Sequence, residues 1–140
     1  MVDVDLILAK SGAVKKYLNR IKDKRAVDLN AFLADLDRQE IVVFNFQMAL
    51  QNCIDMASHI ISDQGLGMPG STNEIFYTLE ENGYIEPSLS EKMVKAVGFR
   101  NLIVHEYGKV DIERVFDFAH HDVEDLLQFI QKLFERLDIT

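Results

Sequence analysis

The feature that most constrains the fold is the stretch of residues 29–62, which contains neither proline nor glycine. Its apolar residues recur every three or four positions, the spacing that places side chains on one face of an α-helix. One helix through the whole stretch would be on the order of 45 Å long. Because that is long for a chain of 140 residues, we predict a long helix with a kink or break near residues 37–40. Its predicted buried face consists of Leu29, Phe32, Leu36, Val43, Leu50, Ile54, Ala57 and Ile61.

Four further segments show the same helical spacing, at residues 4–26, 71–82, 88–107 and 111–137. Two of them begin with the pattern Ser-x-x-Glu of a capping box, at Ser71 and Ser88, and Asp111 is the expected N-cap of the last. Residues 64–70 form a loop rich in glycine. Since no segment has the alternating pattern of a β-strand, we predict an all-α, up-and-down bundle of about five helices, with residues 1–140 as a single domain.

Composition and cysteine usage narrow the class of protein. The single cysteine, Cys53, cannot form an internal disulfide, and the spacings of a zinc site are absent. Its apolar neighbours predict that it is a small buried hydrophobic residue. No apolar run approaches the length needed to span a membrane, and Asp3 and Asp5 stand where a signal peptide would carry lysines. We therefore expect a cytoplasmic protein with no membrane association and no metal site.

The distribution of charge leaves two interpretations open. A net charge of −8 argues against a general nucleic-acid coat protein. However, seven of the 15 basic residues lie between Lys10 and Arg25. This segment is compatible with a solvated helix face and with a surface that steers phosphate groups.

Residues 100–107, which read RNLIVHEY, carry the candidate chemistry. Arg100 falls on the same helical stripe as Met93, Val97 and Val104, so the spacing predicts a guanidinium on an apolar, core-facing side. Burying an unpaired guanidinium is costly. The arginine therefore requires an anion, an acceptor or a second subunit nearby.

Arginine and histidine together favour chemistry on a phosphodiester. Histidine exchanges protons near neutral pH, and arginine presents a planar, permanently charged fork that suits phosphate oxygens. His105 would be acid or base in RNA cleavage by the 2′-hydroxyl, Arg100 would stabilise the charge on phosphorus, and Asn101 would orient one of them. One histidine cannot play both roles in one pass, and a two-fold homodimer would supply a second. In the alternative interpretation, His105 caps the helix end and Tyr107 is a core ring.

A polar row on the long helix is the second candidate feature. Gln47, Gln51, Asp55 and His59 follow one another at intervals of four residues. This row is compatible with the solvated side of the helix and with the wall of a cleft. In a cleft, Gln51 and Asp55 would support the site, and the Asp55 carboxylate would hold the arginine or the histidine of the central segment.

The pattern Arg-Asn-x-x-Val-His-x-Tyr, formed here by Arg100, Asn101, Val104, His105 and Tyr107, resembles the HepT-like branch of the HEPN superfamily. The hallmark of that superfamily is an arginine, four to six residues, then a histidine. Most of the chain takes part in the resemblance, which includes residues 65–69, 76–85, 98–99 and 110–112.

The resemblance implies an all-α homodimer that acts as a metal-independent ribonuclease, the toxin of a type VII-like toxin–antitoxin pair. Its catalytic residues would be Arg100, Asn101 and His105, and its substrate would be RNA, with tRNA among the candidates. The partner would be an MntA-like minimal nucleotidyltransferase antitoxin that transfers AMP from ATP to Tyr107 and so silences the nuclease. The chain itself would need no cofactor, because only the partner uses ATP.

Two other classes of function remain open from the sequence. The same superfamily contains non-catalytic helical subunits that bind substrate for a nucleotidyltransferase, and the acidic net charge suits such a role. A plain helical interaction module is the third class. Loss of activity on changing His105 would separate the nuclease from the binding subunit. In a plain interaction module, Arg100→Ala would change stability or assembly alone.

Overall fold

The computed structural model describes residues 1–106, 108 and 110–140. Within these ranges the chain forms helices and loops without a β-strand, so the all-α prediction is confirmed. Seven helices follow one another: α1 Val4–Lys24, α2 Leu29–Leu33, α3 Leu36–Asp63, α4 Thr72–Glu81, α5 Pro87–Glu106, α6 Ile112–His121 and α7 Glu124–Leu137.

Helices α1 and α3 pack side by side in opposite directions. The Lys10 ammonium lies 3.2 Å from the Asp55 carboxylate, and near the other end Arg38 donates to the backbone oxygen of Lys24 at 2.9 Å. The helical spacing of residues 4–26 predicts an apolar face formed by Ile7, Val14, Leu18 and Ile21. This prediction is confirmed, because each of these residues is at most 1% exposed.

The predicted long helix is divided in two, slightly before the expected position. The Asp35 carboxylate accepts from the backbone N–H of Arg38 at 3.1 Å and caps the start of α3. The Gln39 amide donates to the Phe32 carbonyl at 2.9 Å, which satisfies the end of α2. The break resets the helical phase, so the prediction that Leu36 is buried was wrong: it is 59% exposed.

The prediction of one continuous helix from 111 to 137 was also wrong, since α6 ends at His121 and α7 begins at Glu124. In a continuous helix the Ala119 carbonyl would accept from the backbone N–H of residue 123. Instead it accepts from the Arg25 guanidinium at 2.7 Å. This contact comes from the end of α1 and has no local sequence signal.

The two predicted capping boxes differ in outcome. Ser71 accepts from the backbone N–H of Glu74 at 3.2 Å, and the Glu74 carboxylate accepts from the N–H of Gly70, one residue before the cap. Ser88 does not cap α5, because that helix already begins at Pro87. A proline is well suited to the first helical position, where its missing N–H costs nothing.

The core lies between α1, α3, α5 and the α6–α7 pair. Phe46 of α3 contacts both Phe99 of α5 and Phe118 of α6, with ring centroids 5.8 and 4.5 Å away. Cys53 is fully buried, as predicted, and burial raises the pKa of its thiol far above the ordinary value. None of the described helices combines the length and apolarity needed to cross a membrane.

Candidate active site between α3 and α5

An open groove of about 390 Å³ lies between the middle of α3 and the last two turns of α5. Both the predicted chemical segment and part of the polar row contribute to it. The groove is lined by Gln47, Met48, Gln51, Arg100, Asn101, Val104 and His105. The cleft-wall interpretation of the polar row therefore holds for Gln47 and Gln51.

The position of Arg100 differs from the sequence prediction. The core side of α5 passes through Met93, Phe99 and Ile103, each at most 3% exposed. Arg100 lies at the edge of this side and is half-buried, and Val104 beyond it is 57% exposed. The predicted stripe therefore faces the core at Met93 and Val97, whereas its last members, Arg100 and Val104, line the groove. The guanidinium borders solvent, so no charge is buried without a partner.

Arg100 is held by neutral oxygens. Its guanidinium donates to the side-chain oxygen of Gln51 at 3.2 Å and to that of Asn101 at 3.4 Å. Among the described residues, no carboxylate lies within ion-pair distance of it. Since amide oxygens orient the guanidinium without neutralising it, its positive charge remains available to an anion in the groove.

The prediction that the Asp55 carboxylate holds the arginine differs from the structure, because Gln51 lies between them. Asp55 does not hold Arg100 directly. Its carboxylate accepts from the Gln51 amide nitrogen at 2.9 Å and from the Lys10 ammonium at 3.2 Å. A hydrogen-bonded chain therefore runs from Lys10 through Asp55 and Gln51 to Arg100. Lys10 is the member that sequence reasoning missed, because it approaches from a different helix.

His105 is exposed in the last turn of α5, and within the described part of the chain it makes no hydrogen bond. It lies about 140° around the helix from Arg100, yet both side chains line the same groove. The ring is therefore accessible to a ligand that the arginine holds. Tyr107, the candidate acceptor of AMP, lies outside the described residues.

The other histidines have structural partners or lie elsewhere. The His59 ring accepts from the backbone N–H of Asp3 at 3.0 Å, so it is not part of the groove. His120 lies 2.8 Å from the carbonyl of Phe116 in its own helix. His121 is exposed on α6. Among the described residues, no cluster of three or more histidine, cysteine and carboxylate side chains could hold a metal ion.

Met48 and Val104 line the groove, and an exposed apolar side chain, Phe44, lies one turn further along α3. Val104 is 57% exposed, and Phe44, one turn before Met48 on α3, is 56% exposed. Large exposed apolar residues that lie together are typical of a surface that another molecule covers. We call Phe44, Met48 and Val104 the apolar rim.

The protein is an all-α helical bundle with an arginine and a histidine in one open groove. Comparison with known families identifies a family that agrees with this description. The profile of the family described as Ribonuclease HepT-like matches residues 14–133. This chain therefore belongs to the HepT-like family.

Two curated relatives are nucleases by name. The chain is 36% identical over 126 residues to an mRNA nuclease HepT of Shewanella oneidensis, which covers 90% of this chain and 94% of the relative. It is 29% identical over 103 residues to a tRNA nuclease HepT of Aphanizomenon flos-aquae, covering 74% of this chain and 70% of the relative.

A solved structure also matches along nearly the whole chain. It is the tri-AMPylated HEPN toxin of Shewanella oneidensis in complex with an MNT antitoxin. The TM-score is 0.88 at 34% sequence identity, covering 94% of this chain and 98% of that chain.

Proposed function

We propose that this protein is the ribonuclease toxin of a toxin–antitoxin pair and cleaves RNA without a metal ion. The observation that carries the proposal is the groove lined by Arg100, Asn101 and His105. In this groove the Arg100 guanidinium bonds neutral oxygens and keeps its positive charge. The two HepT nucleases, one named for mRNA and one for tRNA, support RNA as the substrate class.

The proposed reaction is an internal transesterification. His105 removes the proton of a 2′-hydroxyl, whose oxygen attacks the adjacent phosphorus. A bond from the 2′-oxygen to phosphorus forms, the bond to the 5′-oxygen breaks, and a 2′,3′-cyclic phosphate remains. The Arg100 guanidinium stabilises the charge that develops on the phosphoryl oxygens, and Asn101 keeps the guanidinium oriented. The departing 5′-oxygen takes up a proton.

The second proton transfer requires a second acid, which a homodimer would supply. Met48 and Val104 of the apolar rim line the groove and Phe44 lies one turn further along α3, so a two-fold contact through Phe44 and Val104 would bring two copies of the groove together. One histidine would then act as base and that of the second copy as acid. Covering exposed apolar area would also stabilise the contact.

Regulation by the partner would act on Tyr107, two residues after the catalytic histidine. A nucleotidyltransferase antitoxin would catalyse attack of the Tyr107 phenol oxygen on the α-phosphorus of ATP, with release of pyrophosphate and a proton. The AMP group would add negative charge and bulk where RNA must bind. The AMPylated state of the Shewanella toxin, in complex with its antitoxin, supports this proposal.

The test is cleavage of an RNA pool containing mRNA and tRNA, in excess EDTA, by protein whose intact mass shows no added AMP. We expect cleavage by the wild type and a loss of about 10²- to 10⁴-fold in His105→Ala, the usual contribution of a general acid or base. His121→Ala is the matched control, because it removes another exposed histidine that lies outside the groove.

Each part of the proposal has its own contrary result. Cleavage that disappears with EDTA would contradict the metal-free mechanism. Absence of cleavage by unmodified wild type, or equal cleavage by His105→Ala, would favour the non-catalytic binding subunit associated with a nucleotidyltransferase.

A further inference from the structure

Asp55, whose partner Gln51 holds the proposed catalytic arginine, is itself paired away from that arginine. Asp55 lies next to Gln51, the residue that holds Arg100, and both Asp55 oxygens are engaged: one by the Gln51 amide nitrogen at 2.9 Å, the other by Lys10 at 3.2 Å. An unpaired carboxylate at this place would compete with RNA phosphate for the guanidinium, since the two anions suit the same planar fork.

We propose that Lys10 is a positioning residue that keeps Asp55 from neutralising Arg100, so that the guanidinium stays free for an RNA phosphate. The inference rests on the proposed ribonuclease function and extends its machinery to α1. Lys10 and Asp55 cancel each other's charge, which leaves Arg100 as the net positive charge of the chain of hydrogen bonds.

The orientation of Gln51 gives Asp55 a second, useful effect. An amide presents an oxygen at one side and a nitrogen at the other, and its hydrogen-bond partners decide which way it faces. Because Asp55 accepts from the nitrogen, the oxygen of Gln51 faces Arg100. Asp55 therefore orients Gln51 through one oxygen, and Lys10 neutralises the carboxylate through the other.

Without Lys10, the Asp55 carboxylate would be free to turn toward Arg100 and displace Gln51. The pair is partly open to water, with side-chain exposures of 36% for Lys10 and 40% for Asp55. Ion pairs in such positions change an equilibrium roughly two- to fivefold. The expected consequence is weaker RNA binding by about that factor.

The experiment measures kcat and KM for RNA cleavage in full-length Lys10→Met, Lys10→Arg and the double variant Lys10→Met/Asp55→Asn. We expect KM to rise roughly two- to fivefold in Lys10→Met with little change in kcat. Lys10→Arg should restore KM, because it keeps the ion pair. The double variant should restore it as well, since asparagine still accepts from Gln51 but carries no charge.

Lys132→Met is the matched control for net charge. Lys132 is 34% exposed, close to the value for Lys10, and its ammonium lies 3.6 Å from Glu135 in a similar surface pair on α7. This variant should leave KM unchanged. Affinity for the same RNA, measured in a His105→Ala background, should show the same order among the Lys10 variants without turnover.

The possible outcomes separate the role of Lys10 from the proposed ribonuclease function. A double variant as defective as Lys10→Met would overturn the inference and make Lys10 a direct phosphate contact. A KM unchanged in Lys10→Met, beside active wild type and inactive His105→Ala, would also overturn it while leaving the nuclease intact. A wild type without cleavage would overturn both.

Discussion

At the scale of single residues, the proposed catalytic groove depends on how Arg100 is held. Gln51 and Asn101 orient the guanidinium through neutral oxygens, at 3.2 and 3.4 Å, and leave its charge uncompensated. A carboxylate in either place would orient the arginine equally well but would reduce its affinity for phosphate. Oriented and uncompensated charge is what transition-state stabilisation at phosphorus requires.

Arg100→Lys tests whether orientation matters as well as charge. Lysine keeps the positive charge but has neither the planar fork nor the reach to bond Gln51, Asn101 and a phosphate at once. We expect kcat/KM for RNA cleavage to fall about tenfold to a hundredfold. Arg114→Lys is the matched control, because the Arg114 guanidinium lies 5.3 Å from the Phe99 ring centroid and outside the groove. An Arg100→Lys enzyme as active as the wild type would reduce the arginine to a simple charge.

At the scale of elements, helix boundaries set the phase of the groove. Because α3 restarts at its Asp35 cap, Phe44, Met48 and Gln51 face outward on successive turns, while Phe46 and Cys53 face the core. The residues that α3 presents to the groove therefore depend on where this helix begins.

Asp35→Ala tests the contribution of this cap. Loss of the hydrogen bond to the Arg38 N–H should lower the free energy of unfolding by about 1 kcal/mol, measured by urea denaturation. Asp117→Ala is the control, since Asp117 is exposed within α6. If the two variants were equally stable, the cap would not fix the start of α3.

At the scale of the whole molecule, the groove contains one histidine, whereas the proposed reaction needs an acid and a base. The apolar rim is the surface through which a second copy would complete the site. Phe44 and Val104 are both more than half exposed and belong to the two helices that form the groove. Assembly and catalysis would then share one surface.

Phe44→Glu and Val104→Glu should therefore weaken the proposed dimer and reduce the proposed cleavage together, because each would place a carboxylate in a dehydrated contact. Sedimentation across a concentration series would show the monomer appearing at concentrations at least tenfold higher than for the wild type. Met68→Glu is the control, as Met68 is 99% exposed in the loop before α4. A fully active monomer would disprove the dimeric site.

The local features of this protein follow from residues that lie close together in the chain. Helical spacing identified the all-α class, the buried face of α1, the Asp111 cap and the burial of Cys53, because each depends on residues within a few turns. The Arg-Asn-x-x-Val-His-x-Tyr pattern indicated the family in the same way. It placed Arg100, Asn101 and His105 close together simply because they lie within two turns of one helix.

Other features depend on contacts between residues far apart in the chain, and these contacts form only when the helices pack. At the break after α6 the Ala119 carbonyl accepts from Arg25, the residue that follows α1, and Val104 is 57% exposed although it continues an apolar stripe of α5. The pairing of Arg100 with Gln51 and of Lys10 with Asp55 joins three helices. Periodicity indicates which face of a helix is buried, whereas the partner of a polar side chain depends on how the helices pack.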